Sequence, residues 1–360
     1  MAKGPLAGVK VLEFAGLGPA PLAGMFLSDL GADVVEVARE GTPPPPSTRP
    51  DARGRRRVAL NLKTPEAVAT CLDLAAQADV VIEGNRPGVM ERLGLGPSTM
   101  LARNPRLVYG RMTGWGQSGP YAHTAGHDIN YLSLTGVLHA IGTAERPVPP
   151  LNLAADYGGG TMFLIMGILS AVLHARTTGE GQVIDVAMTD CAAYLASLFY
   201  GMHATGMWKE EREANLLDGG AHFYGVFECA DGKWISIGSI EPQFYALLLE
   251  KTGTAEKIVH PQMDRAAWPE MREVLREAIR GKTRDEWCAI MEGTDVCFAP
   301  VLTFAEAPHH AHNVARGTFV ESGGTTVPAP APRFSATPAA IQWPPSDALH
   351  STAEVLESWR

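Results

Sequence analysis

Short apolar strands alternate with helix-forming stretches early in the chain, and this alternation constrains the fold more than any other feature. Val9, Val11 and Leu12 lead into Gly16-Leu17-Gly18-Pro19, an apolar helix follows and closes at Gly31, and Asp33-Val34-Val35-Glu36-Val37 reads as a second strand. The scheme then repeats. Leu60-Asn61-Leu62 is a short strand, Thr64-Pro65 supplies an N-cap and a proline at the first helical position, and residues 67–76 are helical. Ala78-Asp79-Val80-Val81-Ile82-Glu83 and Leu107-Val108-Tyr109-Gly110-Arg111-Met112 follow as buried strands. Neighbouring parallel strands need helical crossovers, so the spacing predicts an α/β fold around a parallel sheet.

Beyond Asp156 come Tyr157-Gly158-Gly159-Gly160, an apolar helix over 162–175, a strand over 182–188 and a long apolar helix reaching Tyr200. The texture changes at Phe223: two strand-like runs flank Asp231-Gly232, the signature of an antiparallel hairpin. Helical segments continue to about 291, which places a smaller α+β domain at 225–310. Residues 328–345 read as a proline-rich connector and 351–359 as a last short helix. Residues 41–57 hold four consecutive prolines and then Arg49, Arg53, Arg55, Arg56 and Arg57, and read as a cationic loop.

Composition narrows the function classes. With 46% hydrophobic residues, 19% charged residues and a formal net charge of −9 over 360 residues, the chain suits a globular protein. The acidic balance disfavours a nucleic-acid or anionic-membrane partner. The apolar helix over 162–175 is shorter than the roughly 20 residues that span a bilayer, and the N-terminus shows no signal-peptide pattern. Five cysteines without a C-x-x-C pair give no disulfide or zinc framework, so a cytoplasmic protein without a metal site is expected. His309-His310-x-His312 lacks the carboxylates or cysteines of a metal site and reads as an exposed loop.

The first turn resembles a dinucleotide fingerprint only in part. After Gly16-x-Gly18, the third glycine position holds Pro21, so a nicotinamide cofactor is poorly supported. The segment from Arg39 to Lys63, with seven basic and two acidic residues, points instead to an anionic, phosphorylated ligand at the strand ends. His127, Asp156 and Glu241 each precede a predicted helix, where open N–H groups favour a carboxylate or an oxyanion. Each also has a plain structural role there, as a cap, a turn residue or a packed histidine.

Taken together, Val11-Leu12-Glu13-Phe14, the run from Asp29 to Val37, Leu60-Asn61-Leu62-Lys63, Glu83-Gly84-Asn85-Arg86-Pro87-Gly88-Val89, Met112-Thr113-Gly114-Trp115-Gly116-Gln117 and Pro332-Arg333-Phe334-Ser335 resemble the class III CoA-transferase family over nearly the whole chain. Gly126-His127-Asp128-Ile129-Asn130-Tyr131 and Asn152-Leu153-Ala154-Ala155-Asp156 resemble its racemase branch, which acts on 2-methylacyl-CoA thioesters. The resemblance implies a Rossmann-like large domain built from both chain ends (1–190 and 330–360), connectors at 191–224 and 311–329, a small α+β domain at 225–310, and an interlocked homodimer. It implies that Arg39, Leu60, Asn61, Leu62, Lys63, Gly84, Asn85, Arg86, Arg92, Gly126, Asp128, Ile129, Asn130 and Tyr131 hold the CoA part of an acyl-CoA substrate, with no separate cofactor.

By the same resemblance His127 and Asp156 are the acid/base pair that interconverts (R)- and (S)-2-methylacyl-CoA through an enolate. Glu241 then supports His127, Asn152 hydrogen-bonds Asp156, and the Asp156 backbone N–H is expected to face the enolate oxygen. Methionines, including Met112, Met162, Met166, Met188, Met202 and Met207, offer an adaptable surface for a moving acyl chain. The rival reading is a CoA-transferase in which Asp156 attacks the thioester. A CoA-binding protein without catalysis is the third reading, and the acid/base positions argue against it.

Overall fold

Branched residues in the early strands suit a sheet covered on both faces, and they pair accordingly. In the computed structural model, which describes residues 4–43, 49–343, 346 and 348–360, they form a six-stranded parallel sheet. Its strands are β1 (Lys10–Phe14), β2 (Asp33–Arg39), β3 (Arg55–Leu60), β4 (Val80–Glu83), β5 (Val108–Thr113) and β6 (Gln182–Ala187). Their order is β3-β2-β1-β4-β5-β6, with Leu12 opposite Val35 on one side and Val81 on the other. All three side chains are fully buried. The order reverses between β1 and β4, and in open α/β sheets such a reversal leaves a crevice at the carboxyl ends of the strands.

Crossover helices α1 (Pro19–Asp29), α2 (Pro65–Gln77), α3 (Val89–Arg92) and α4 (Pro97–Arg103) start where the sequence provides stop and start signals. Thr64 Oγ1 caps α2 by accepting the Ala67 N–H at 3.3 Å. Gly24 lets α1 approach β1, since a Cβ there would run into the Glu13 carboxylate. Close helix–strand contact therefore rests on Gly24, not on the Pro21 position of the incomplete fingerprint. The chain end returns to the same core: the helix Thr352–Trp359 buries Val355 and Trp359 beside Leu74 and Tyr109, and Trp359 Nε1 donates to Asp33 at 2.8 Å.

Two units divide the chain: Met1–Thr135, Pro150–Ala196 and Val314–Arg360 make the first, and Gly136–Pro149 with Ser197–Asn313 the second. The first is thus built from both chain ends. In the second, β7 (Tyr224–Glu228), β8 (Trp234–Gly238) and β9 (Phe298–Val301) form an antiparallel sheet in that order, turning at Asp231-Gly232. Phe223, Ile235, Trp268, Leu275 and Trp287 fill its core. Residues 136–149 join this unit because Arg212 donates to the carbonyls of Thr143, His139 and Ala144 at 2.6, 3.2 and 3.2 Å.

Several boundaries differ from the sequence expectation. Arg55–Arg57 are not loop residues but the start of β3, because acidic neighbours on β1 and β2 neutralise them. The strand expected at 60–62 ends at Leu60. The long helix reaching Tyr200 breaks at Ala196 into Met188–Leu195 and Ser197–Ala204. The stretch 311–329 contains a short helix, Ala311–Arg316, and the hairpin β10 (Phe319–Ser322) and β11 (Thr325–Pro328). Most of the four-proline run, and Pro344 and Pro345 of the expected connector, lie outside the described residues.

The apolar helix is also longer than expected. A π-helical turn, Leu153–Thr161, runs directly into the helix Met162–Thr178, giving 26 residues that are long and apolar enough to cross a membrane by length and composition. Met162, Met166, Leu169 and Leu173 are exposed on it.

Candidate active site

The Gly114-Trp115 and Gly126-His127 segments meet through one aromatic side chain. Helix α5 (Asp128–Leu134) begins after His127, whose backbone N–H donates to Asn130 Oδ1 at 3.0 Å, one arm of a capping box. From α5, Tyr131 lies against Gly114 so closely that a Cβ there would overlap its ring. Its hydroxyl donates to the Gly126 carbonyl, and Trp115 meets its ring edge-on at 4.8 Å. These contacts fix the backbone on either side of His127, which is itself exposed.

Asp156 comes from the π-helical turn, and α5 sets its backbone too. Asp128 Oδ2 accepts the N–H groups of both Ala155 and Asp156 at 2.8 Å. The Asp156 amide is therefore occupied and does not face an enolate oxygen, contrary to the sequence expectation. Asp128, in the segment expected to contact CoA, uses its side chain as an internal cap. Asn152 Nδ2 lies 3.5 Å from Asp156 Oδ2, at the outer limit of a hydrogen bond.

Burial pushes the half-buried Asp156 carboxyl above the usual aspartate range, and the Asp128 charge adds to this, while Asn152 and His127 oppose it. His127 is thus near enough to act on Asp156 electrostatically. Burial, followed by the charges of Asp156 and Asp128, pushes the Tyr131 hydroxyl up to about 12, so it stays protonated at neutral pH.

A cavity of about 660 Å³ opens at the carboxyl ends of β1, β2, β3 and β4. Arg39, Leu60, Asn61, Leu62, Lys63 and Asn85 line it, as the sequence reading proposed for the CoA moiety. Gly84, Arg86, Arg92 and residues 126–131 do not. Gly16, Leu17 and Arg57 also line it. The sequence signal for the first two was the Gly16-x-Gly18 turn, set aside with the dinucleotide reading. That turn links cavity and carboxylate: a Cβ on Gly18 would stand 3.8 Å from Asp156 Oδ2.

Most of the expected cationic cluster is spent internally. Arg53 pairs with Asp29 at 2.5 Å, Arg55 with Glu13 at 2.8 Å, Arg56 with Asp33 at 2.6 Å and Arg57 with Glu36 at 3.5 Å. Among the described residues, Arg39 and Lys63 remain without an ion pair at the cavity wall, two cations for an anionic ligand. Glu241 belongs to the second unit, exposed, as the residue before the helix Pro242–Thr252. Met112 and Met188 are core residues, 2% and 7% exposed, so they do not belong to an adaptable surface. Among the described residues no group of three His, Cys, Asp or Glu is placed to hold a metal ion.

The sequence pattern of CoA-transferase family III matches residues 6–348. The chain is similar to the alpha-methylacyl-CoA racemase of Mus musculus, 48% identical over 98% of this chain and 93% of that one, and to its Homo sapiens counterpart, 44% identical over the same shares. Among solved structures it resembles a CAIB/BAIF family protein from Brucella suis, with a TM-score of 0.83 and 26% identity over 99% of this chain and 100% of that one. With a matching pattern over nearly its full length, relatives close to half identical and a shared fold, the chain belongs to CoA-transferase family III.

Proposed function

We propose that this protein interconverts (R)- and (S)-2-methylacyl-CoA thioesters by 1,1-proton transfer. The observation that carries the reading is the placement of Asp156: its carboxyl borders the Gly16–Gly18 turn of the cavity wall, with His127 close enough to act on it. The racemase relatives support the same chemistry. Arg39 and Lys63 meet the phosphates of CoA, and the acyl end reaches the acid/base pair.

The α C–H bond breaks as one of His127 and Asp156 takes the proton, and its electrons pass into the thioester as an enolate. The other residue returns a proton to the opposite face, and the roles exchange for the opposite enantiomer. Asn152 steadies the Asp156 carboxyl. Glu241 is the further carboxylate of the scheme, and Glu241→Gln is expected to lower kcat. The scheme requires no cofactor beyond the substrate's own CoA, and we place the enzyme in the cytoplasm as a homodimer.

A single enantiomer of a 2-methylacyl-CoA, incubated with the protein and an added carboxylic acid, tests the reading. The opposite enantiomer should accumulate with CoA remaining on its original acyl group. Transfer of CoA to the added acid without inversion would assign Asp156 the nucleophilic role instead.

A further inference from the structure

Asp128 is a buried carboxylate, 5% exposed, that uses its two oxygens unequally. Oδ2 takes two amides, those of Ala155 and Asp156, while Oδ1 is equally shut away and has no hydrogen-bond partner among the described residues. The amides belong to the first residues of the π-helical turn, where a helix leaves N–H groups open. A neutral Ser or Asn caps such a start about as well. Burying a charge with an idle oxygen is a costly way to do only that. What the carboxylate adds is a negative charge on the side from which the Asp156 backbone is held.

We propose that Asp128 is a positioning residue for Asp156, holding the Ala155 and Asp156 amides and so setting a second carboxylate against the segment that carries the proton-transferring one. The inference rests on the racemase reading, in which Asp156 must both accept and return a proton. An aspartate in open water gives its proton up too readily for the second task; burial does most to retain it here, and the like charge nearby adds to that.

Titratable groups also lie on the elements packed against this turn. Of these elements, α5 carries Tyr131 and follows His127; the helix Met188–Leu195 carries Asp190, Cys191 and Tyr194; and α1 carries Asp29 at its far end, paired with Arg53. Arg49 acts on Tyr157 in the turn itself. Of the charged groups acting on Asp156, Asp128 favours the protonated form and His127 opposes it.

The test reads the Asp156 carboxyl directly. In protein labelled with carbon-13 at aspartate carboxyls, the resonance missing from Asp156→Asn identifies Asp156, and its titration is followed in wild type, Asp128→Asn and Asp128→Ser. Both variants keep an acceptor oxygen and lose the charge. The Asp156 midpoint should move to lower pH in each, and the acid limb of kcat/KM should move with it. Asp128→Ala, which also releases the two amides, should lose roughly tenfold to a hundredfold in kcat.

An unmoved midpoint in a folded Asp128→Asn or Asp128→Ser overturns the inference, and a purely structural cap predicts that result. If Asp128→Asn does not fold, Asp128→Ser decides alone, and failure of both to fold means that the charge is needed for folding and overturns the tuning role. A midpoint that moves in a protein that racemises nothing refutes the proposed function and leaves the Asp128–Asp156 coupling standing.

Discussion

His127 and Asp156 are the residues on which the proposed chemistry turns. Replacing His127 with Ala or Asp156 with Asn should each lower kcat/KM for racemisation by roughly 10² to 10⁴, the usual contribution of a positioned acid or base. Arg39→Ala should act differently, raising KM for the acyl-CoA roughly tenfold with little change in kcat, because one phosphate contact is lost equally from ground and transition states. Steady-state kinetics with one thioester separates the two outcomes. Both positions stand out in the sequence at helix starts, but only the family resemblance gives them the acid/base role, because a helix start alone suits a cap or a turn residue equally well. The role of Asp128 was not legible there, because the amides it holds lie 27 and 28 residues further along the chain and meet it only in the fold. The arginines misled for the same reason: a run of positive charge looks free in a sequence, whereas Glu13, Asp29, Asp33 and Glu36 reach it from neighbouring elements.

At the scale of elements, the loop that carries Asn85 into the cavity wall is tied down from below. Arg111 on β5 donates to Glu83 at the end of β4 at 2.9 Å and to Glu91 on α3 at 2.8 Å, and Glu83 accepts the Asn85 N–H at 2.7 Å. Glu83 is completely buried. Arg111→Met would leave it without its cation, so urea unfolding should show a loss of about 3 kcal/mol, the usual consequence of stranding a buried charge. Adding Glu83→Gln to that variant should recover part of the loss.

The core of the second unit carries a different sensitivity. His222 is fully buried, bonded through Nε2 to the Tyr245 hydroxyl at 2.7 Å, and burial, then the Arg272 charge, lowers its pKa from 6.5 to about 4. Between those values the unfolded chain binds a proton that the folded chain refuses. Stability present above pH 6.5 should therefore fall as pH drops toward 4, by on the order of 3 kcal/mol. His222→Phe should flatten that slope in unfolding measured against pH, whatever its effect at neutral pH; an equally steep slope in the variant would assign the acid sensitivity to other groups. The hairpin enclosing this core was visible in the sequence through Asp231-Gly232, a local signal. The membership of 136–149 in the unit was not, because Arg212 makes that connection from about seventy residues away.

For the whole molecule, Met162, Met166, Leu169 and Leu173 form an exposed apolar row, and the proposed homodimer would cover it. Light scattering coupled to size exclusion should give the mass of two chains, with no protein floating with anionic lipid vesicles; a monomer that binds vesicles would assign that face to a membrane. The net charge of −9 concealed the local pattern. The basic surplus between Arg39 and Lys63 is used mainly to hold the sheet edge, and two cations are left at the cavity.

The central claim, that a proton is removed from one face of the α-carbon and returned to the other, is tested most directly in D₂O. Starting from one pure enantiomer of a 2-methylacyl-CoA, the account predicts that the inverted product carries a single deuterium at the α-carbon, and that neither His127→Ala nor Asp156→Asn forms that product. Inversion without deuterium, or undiminished inversion in either variant, would contradict it.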